Sequence, residues 1–440
     1  MPDLAETTTS RVWFDLGLGA SALDASPARS ALARAYRMPE PDIVRALVPE
    51  ARIDAPTLAR VQALATRLAQ AVRADRARAG GVDALMHEFS LDSDEGIALM
   101  CLAEALLRIP DTPTRDLLIR DKLSRGQWRA HIGSSPSLFV NAAAWGLLVT
   151  GTLVDSRSES RLEQALASLL RKGGEPVVRA GVDLAMRLLG RQFVTGRTIE
   201  EALANARERE ARGYTFSFDM LGEAAVTDAD AHRYLAAYEA ALHAIGRASA
   251  GRGVHRGPGI SVKLSALHPR YTSTQGERVQ RELYPRLLSI ASLAAHYDVG
   301  FNIDAEEADR LELSLDLFAR LAAEPPLSGW QGLGFVVQAY QKRARGVIDW
   351  LVELARRRAR RISVRLVKGA YWGTEIKRAQ VEGLRDYPVF TRKVHTDVSY
   401  LACVRALLAA PDALYPQFAT HNAFTIAAVY ELAKDADYEF

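Results

Sequence analysis

Cysteine is nearly absent from this chain. Cys101 and Cys403 are the two in 440 residues, and no CxxC spacing occurs. A disulfide framework and a cysteine metal site are therefore excluded. Among nine histidines no pair has the HExxH spacing of a zinc hydrolase. No Walker A sequence occurs, which argues against phosphoryl transfer on a P-loop. The serines, Ser134 and Ser135 included, lie in no nucleophile elbow. Neither sign of charge is in large excess: the net charge is +3, too mild to argue for nucleic acid. Long apolar runs are also missing. Stretches such as Gly146–Val154 are far too short to span a bilayer. Met1 to Ser10 is polar and acidic, without the apolar core of a signal peptide. The expected compartment is the cytoplasm, with a place at the inner membrane surface left open.

Hydrophobic residues make up 48% and charged residues 25%, an ordinary balance for a globular protein with a large core. At roughly 150 residues per domain, the length suggests two or three domains. Helical periodicity dominates the first 200 residues. It is read at Pro27–Tyr36, Pro56–Arg78, Ser93–Ile109, Pro136–Thr150, Arg161–Leu170 and Val177–Leu189. The rhythm changes near Tyr214. Short apolar or β-rich runs follow at Tyr214–Met220, Ile260–Leu264, Val299–Asp304, Gly334–Gln338, Ile362–Val367 and Phe418–His421. Helical stretches separate them at Ala229–Ala250, Glu277–Tyr297, Leu311–Ala323, Arg343–Arg361 and Asp397–Ala409. Alternating strands and helices predict a parallel α/β fold. Each strand ends on a polar residue: Asp219, Lys263, Asp304, Gln338, Lys368 or His421. That pattern fits a (β/α)₈ barrel, with a doubly wound sheet as runner-up. Six strands and a stub at Tyr438–Phe440 are legible, so the barrel is expected to be truncated within this chain. The expected organisation is a helical arm over 1–52, a helical domain over 53–205 and the barrel over 206–440.

The most informative stretch is Arg365–Trp372, RLVKGAYW. It places Arg365 inside an apolar strand and Lys368 at its exit. A buried cation is costly unless it meets a carboxylate, a phosphate or an electron-rich ring. Gly369 admits close approach of a ligand, and Tyr371 and Trp372 offer flat surfaces. Taken alone, the run fits a salt-bridged core strand equally well. Asp304, Glu306, Glu307 and Asp309 form an acidic cluster at a strand end. We keep Asp304 as a site residue and expect the other three at a helix N-terminus, meeting its dipole. The Gly251–Gly259 segment precedes a strand and fails the dinucleotide-loop spacing, so it is expected to be a loop. The basic run Arg356–Arg361 is expected to close a helix. Tyr387–Lys393 is a polar loop open to two readings, phosphate contact or surface decoration.

Several segments closely resemble the proline dehydrogenase region of the proline utilization A (PutA) family. They are FSFDMLGEA at Phe216–Ala224, GISVKLSALHPRY at Gly259–Tyr271, NIDAEEADR at Asn302–Arg310, Arg365–Trp372 and ATHN at Ala419–Asn422. The likeness continues upstream at Glu88–Leu91, Ala103–Pro110 and His131–Asn141. It implies a distorted (β/α)₈ barrel that binds FAD and oxidises L-proline to Δ1-pyrroline-5-carboxylate, with electrons passed to a membrane quinone. By the same resemblance Arg365 lies beside the flavin N5. Gln338, Lys368, Gly369, Tyr371, Trp372, Thr391, Lys393, Thr420, His421 and Asn422 are implied as flavin contacts. Lys263, Asp219 and Tyr371 are implied on the substrate side, Glu223 as half of an ion-pair gate, and Asp304 as an acid tuning the flavin. No metal is implied, and a homo-oligomer is compatible with the family.

Two departures from the family pattern shape the expectations. Some members begin with a ribbon-helix-helix segment, and this chain starts beyond it, so no nucleic-acid partner is expected. The family's last helix carries paired arginines for the proline carboxylate, and this chain stops before it and before the aldehyde dehydrogenase half. Two other readings are weighed beside this one: a Schiff-base aldolase-like barrel using Lys263 or Lys368, and an inactive scaffold.

Overall fold

The structure is a computed structural model that describes residues 26–76, 114, 194–434 and 436. The helices expected between Ser93 and Leu189, the upstream motifs, Cys101 and the stub at Tyr438–Phe440 lie outside the described residues. By its internal contacts the chain divides into two units, Met1–Arg67 with Arg209–Phe440, and Leu68–Glu208.

The first unit is built on six parallel strands, each hydrogen-bonded to the next in chain order. They are β1 Ser217–Asp219, β2 Gly259–Val262, β3 Phe301–Ile303, β4 Leu333–Gln338, β5 Ile362–Val367 and β6 Leu414–Phe418. The intervening helices include α5 Asp228–Ser249, α6 Gly276–His296, α7 Leu311–Leu321, α8 Ala344–Arg357, α9 Trp372–Val381 and α10 Lys393–Leu408, with α11 Ala423–Ala433 after β6. Ahead of them stand α1 Pro27–Ala35, α2 Glu40–Ala51, α3 Ala55–Arg76 and α4 Ile199–Glu210.

The strands alternate with period two, and this sets the layers. Ile260, Val262, Phe301, Ile303, Phe335, Val337, Ile362, Val364 and Leu366 are buried under the helices. Phe318 of α7 meets Phe335 edge-on, with ring centroids 5.1 Å apart. Burying each such side chain contributes about 1.5–3 kcal/mol. The other face carries Ser261, Asn302, Gly334 and Ser363 in one register row. A Cβ at Gly334 would collide with the Asn302 carboxamide, so this row needs a glycine there. Arg365 of β5 donates to Ser261 of β2 at 2.6 Å. In a flat sheet strands three apart would lie about 14 Å from each other, out of reach of these side chains. The sheet is therefore curled into a half-barrel whose concave face is polar.

Some expectations need correction. The sixth strand was expected at Phe418–His421 and runs instead from Leu414 to Phe418. Pro416 hides it from propensity. The Ala419 N–H donates to Leu366 O at 2.9 Å, so by alternation the missing N–H of Pro416 faces away from β5. The basic run does not simply close a helix. α8 ends at Arg357, and Ala359 takes a left-handed φ of 47°. Arg360 then turns inward, donating to the carbonyls of Ala322, Leu327 and Trp330. Glu306, Glu307 and Asp309 face arginines in addition to a helix start. Glu306 and Glu307 pair with Arg310 at 2.7 and 3.0 Å, and Asp309 with Arg378 at 2.7 Å. α2, α4, α9 and α11 lie outside the expected helical stretches.

The arm helices are tied to the half-barrel by buried charge. Arg29 bonds Asp316 at 2.7 Å. The Lys342 ammonium, wholly buried, bonds Met38 O and Asp386 at 2.8 Å each. Ile43, Leu47 and Ala51 of α2 pack on Phe390 and Ala402. Glu40 opens α2 and accepts from the Thr391 N–H at 3.0 Å, from Thr391 Oγ1 at 2.8 Å, and lies 2.5 Å from His395 Nδ1. Burial alone would raise the Glu40 carboxyl, but the bonds from His395 and Thr391 offset it and hold it below its ordinary 4.5. Its contribution is thus present above pH 4.5 and is lost as pH falls through the lower folded value. Glu40→Gln should speed Thr391 amide exchange at neutral pH by roughly 10- to 100-fold, the loss of a charge-assisted bond. Exchange followed by mass spectrometry from pH 7 downward checks this. A wild-type rate insensitive to pH below 4.5 beyond the intrinsic exchange chemistry would contradict it.

Candidate active site

Lys263 leaves β2 at its C-terminal end, with its N–H donating to Tyr238 Oη at 3.1 Å. Its ammonium lies 2.9 Å from Asp304, 3.0 Å from Glu223 and 3.4 Å from Asp219. Three carboxylates from two chain segments, the end of β1 with its loop and the end of β3, thus surround one cation. Burial alone would lower the Lys263 pKa, but Asp304, Asp219 and Glu223 together outweigh it and raise it well above the usual lysine range. Glu223, with its side chain 1% exposed, is pushed up by burial, and Lys263 opposes that rise. The cluster is rich in negative charge and favours a cationic group beside it.

Arg365 lies on the same concave face. Its Nε donates to Gln417 Oε1 at 3.0 Å and its Nη1 to Ser261 Oγ at 2.6 Å. Both acceptors are neutral. Among the described residues no carboxylate comes within ion-pair distance, and Nη2 has no partner. Burial lowers the Arg365 pKa, with Asp304 and Asp219 acting in the opposite direction. A guanidinium starts so high that it stays charged at neutral pH.

The other residues expected at the site lie at the ends of β4 and β5 and at the starts of α9 and α10. Gln338 ends β4, donates to Glu306 O at 2.8 Å and accepts from the Ala370 N–H at 3.3 Å. Gly369 has φ 141°, and a Cβ there would collide with the Tyr340 ring. Tyr371 is half-buried, and burial, reinforced by Glu306, pushes its hydroxyl up to about 12, so it remains a donor at neutral pH. Trp372 is 48% exposed with its indole N–H fixed on Phe390 O at 2.9 Å. Lys368 and Lys393 share Asp397, at 2.6 and 2.8 Å, which leaves one net positive charge there.

The remaining predicted residues have local roles in this structure. Thr391 is bound to Glu40. Thr420 Oγ1 accepts from the Asn422 N–H at 3.2 Å. Asn422 caps α11 by accepting from Thr425 N–H at 3.0 Å, and His421 is exposed beside it. Residues not anticipated are Ser261, Gln417, Asp397 and Tyr238. Ser261 and Gln417 do carry a signal, because each is a polar residue alternating with apolar ones in its strand.

The family model "Proline dehydrogenase" matches residues 202–440, and "Proline utilization A proline dehydrogenase N-terminal domain" matches 26–73. A third model, "DNA-binding domain of Proline dehydrogenase", matches 81–193. That match runs against the expectation of no nucleic-acid partner, and its residues lie almost wholly outside the described ones. Bifunctional protein PutA of Salmonella typhimurium is 61% identical over 93% of this chain, which covers 31% of that relative. PutA of Rhizobium meliloti is 54% identical over 94% of this chain and 34% of its own length. A crystal structure of a mutant Bradyrhizobium japonicum PutA superposes with a TM-score of 0.67 at 46% identity, over 95% of this chain and 41% of that one. The chain spans about a third of the PutA relatives it matches. With the dehydrogenase model covering the whole half-barrel and its strand-end cluster, this chain belongs to the proline dehydrogenase family.

Proposed function

We propose that the half-barrel unit takes part in FAD-dependent oxidation of L-proline to Δ1-pyrroline-5-carboxylate, with electrons passed to a quinone. The observation that carries this reading is Arg365, a cation on the concave face with only neutral partners and an uncommitted Nη2. Such a group suits the electron-rich edge of a flavin. The neighbouring residues fit the same group. Gly369 brings bare backbone to the cleft, Trp372 offers an open flat face, and Lys368 and Lys393 supply positive charge for a pyrophosphate. Gln338 and Tyr371 fit as hydrogen-bonding contacts, and Thr420, His421 and Asn422 lie at the end of the next strand. Thr391 joins this set only on release from Glu40.

When bound, FAD supplies the two-electron acceptor. The chain's own residues bind and orient proline. Asp219, Glu223 and Asp304 complement its ammonium, and Lys263 keeps the three acids together. Tyr371 presents a protonated hydroxyl. A Schiff-base aldolase built on Lys263 is disfavoured, because an amine nucleophile needs a lowered pKa and Lys263 is shifted the opposite way. No helix among the described residues is long and apolar enough to cross a membrane. Transfer of electrons to a membrane quinone calls for contact at the membrane surface.

A visible spectrum of the protein loaded with FAD, before and after proline, tests the reading. Proline should bleach the flavin band, and an unchanged spectrum would sink it. Arg365→Met should lower the flavin's reduction potential and slow proline oxidation roughly 100-fold, the scale seen when one electrostatic donor is removed. An unchanged potential would remove Arg365 from this role. Lys263→Ala should raise the KM for proline about tenfold or more, with little change in FAD affinity. Loss of FAD with proline affinity intact would reverse the assignment.

A further inference from the structure

Arg365 carries five N–H donors. Gln417 takes the Nε–H and Ser261 takes one from Nη1. The two acceptors approach from opposite sides of the curl. Gln417 is the register partner of Arg365 on the adjoining β6, whereas Ser261 reaches over from β2, three strands away. Together they fix both the direction and the plane of the guanidinium. Ser261 Oγ also lies 3.4 Å from Ser217 Oγ, which can take the hydroxyl proton while Ser261 accepts from the arginine.

The neutrality of these acceptors is the unusual feature. Arg365 is half-buried, a cation so placed is commonly paired with a carboxylate, and glutamate has the size and reach of Gln417. Two acids of the same face, Asp304 and Asp219, are near enough to influence Arg365, yet both are engaged by Lys263. The charge of Arg365 is thus held in place without being neutralised.

We propose that Gln417 and Ser261 are positioning residues for the redox reaction: they aim Arg365 and, being uncharged, leave its positive charge for the flavin. This rests on the FAD reading above. Neither residue has to touch proline, so their effect runs through Arg365 and appears in the flavin's properties.

The decisive variant is Gln417→Glu, which keeps size and reach and adds a negative charge at the Arg365 Nε. The midpoint potential of the bound flavin and steady-state kinetics are measured on wild type, Gln417→Glu, Ser261→Ala and Arg365→Met, with melting temperature as a check on folding. The potential of Gln417→Glu should shift negatively, in the direction of Arg365→Met. Its kcat should fall roughly 10- to 100-fold while the KM for proline stays within about twofold. Ser261→Ala should shift the potential the same way by a smaller amount. If Arg365→Met moves the potential and a folded Gln417→Glu does not, the inference is overturned and the FAD reading survives. Should Gln417→Glu fail to fold, Ser261→Ala decides, and an unchanged potential there overturns it. If wild type takes up no flavin, the FAD reading falls and the inference with it.

Discussion

The bonds from Arg365 to Ser261 and Gln417 join strands β2, β5 and β6 across the concave face. They are possible only because the sheet curls, and they give that curl a polar lining to close around. One face of each strand supplies the apolar surface that the helices cover. The other supplies serine, asparagine, glutamine, lysine and aspartate side chains, which need partners wherever water is thin. The row Ser261, Asn302, Gly334, Ser363 shows how tight this lining is, since Gly334 leaves room for the Asn302 carboxamide and nothing more. Fold and candidate site are thus two faces of the same six strands.

The charges on the concave face are sorted between two cations with different tasks. Lys263 collects Asp219, Glu223 and Asp304. Arg365 takes neutral oxygens and keeps its field. If the partners were exchanged, the acids would cancel Arg365 and Lys263 would be driven toward its neutral form by burial. At the periphery Lys368 and Lys393 hold a third centre of positive charge around Asp397. The arm reaches this rim through Glu40, bound at the start of α10. Anything that displaces Glu40 from Thr391 alters the rim and the seat of α2 together.

Part of this is legible in the sequence, and the limits have physical causes. Arg365 and Lys263 stand out because a cation in an apolar strand demands a partner. Their neutral and acidic companions are harder to foresee. Ser261 and Gln417 show in the sequence only as polar residues alternating with apolar ones, and the closing of the sheet brings them together. Pro416 masked β6 because its edge placement depends on which side of the strand is paired. α2 opens among prolines and owes its place to contacts with Phe390 and Thr391, hundreds of residues away. Arg360 joined a basic run by composition and is buried by the turn at Ala359. The acids at 306–309 read as a helix start in the sequence, whereas their arginine partners Arg310 and Arg378 come from the fold.

The central claim is that Arg365 is held as an uncommitted cation for a flavin at the strand ends. A crystal structure of the chain with FAD tests it most directly. The flavin ring should lie across the C-terminal ends of the strands, its electron-rich edge within about 3 Å of Arg365 Nη2. The bonds to Gln417 and Ser261 should be retained. A flavin bound away from the concave face, or Arg365 swung onto Asp304 or Asp219 with its neutral partners abandoned, would contradict the account.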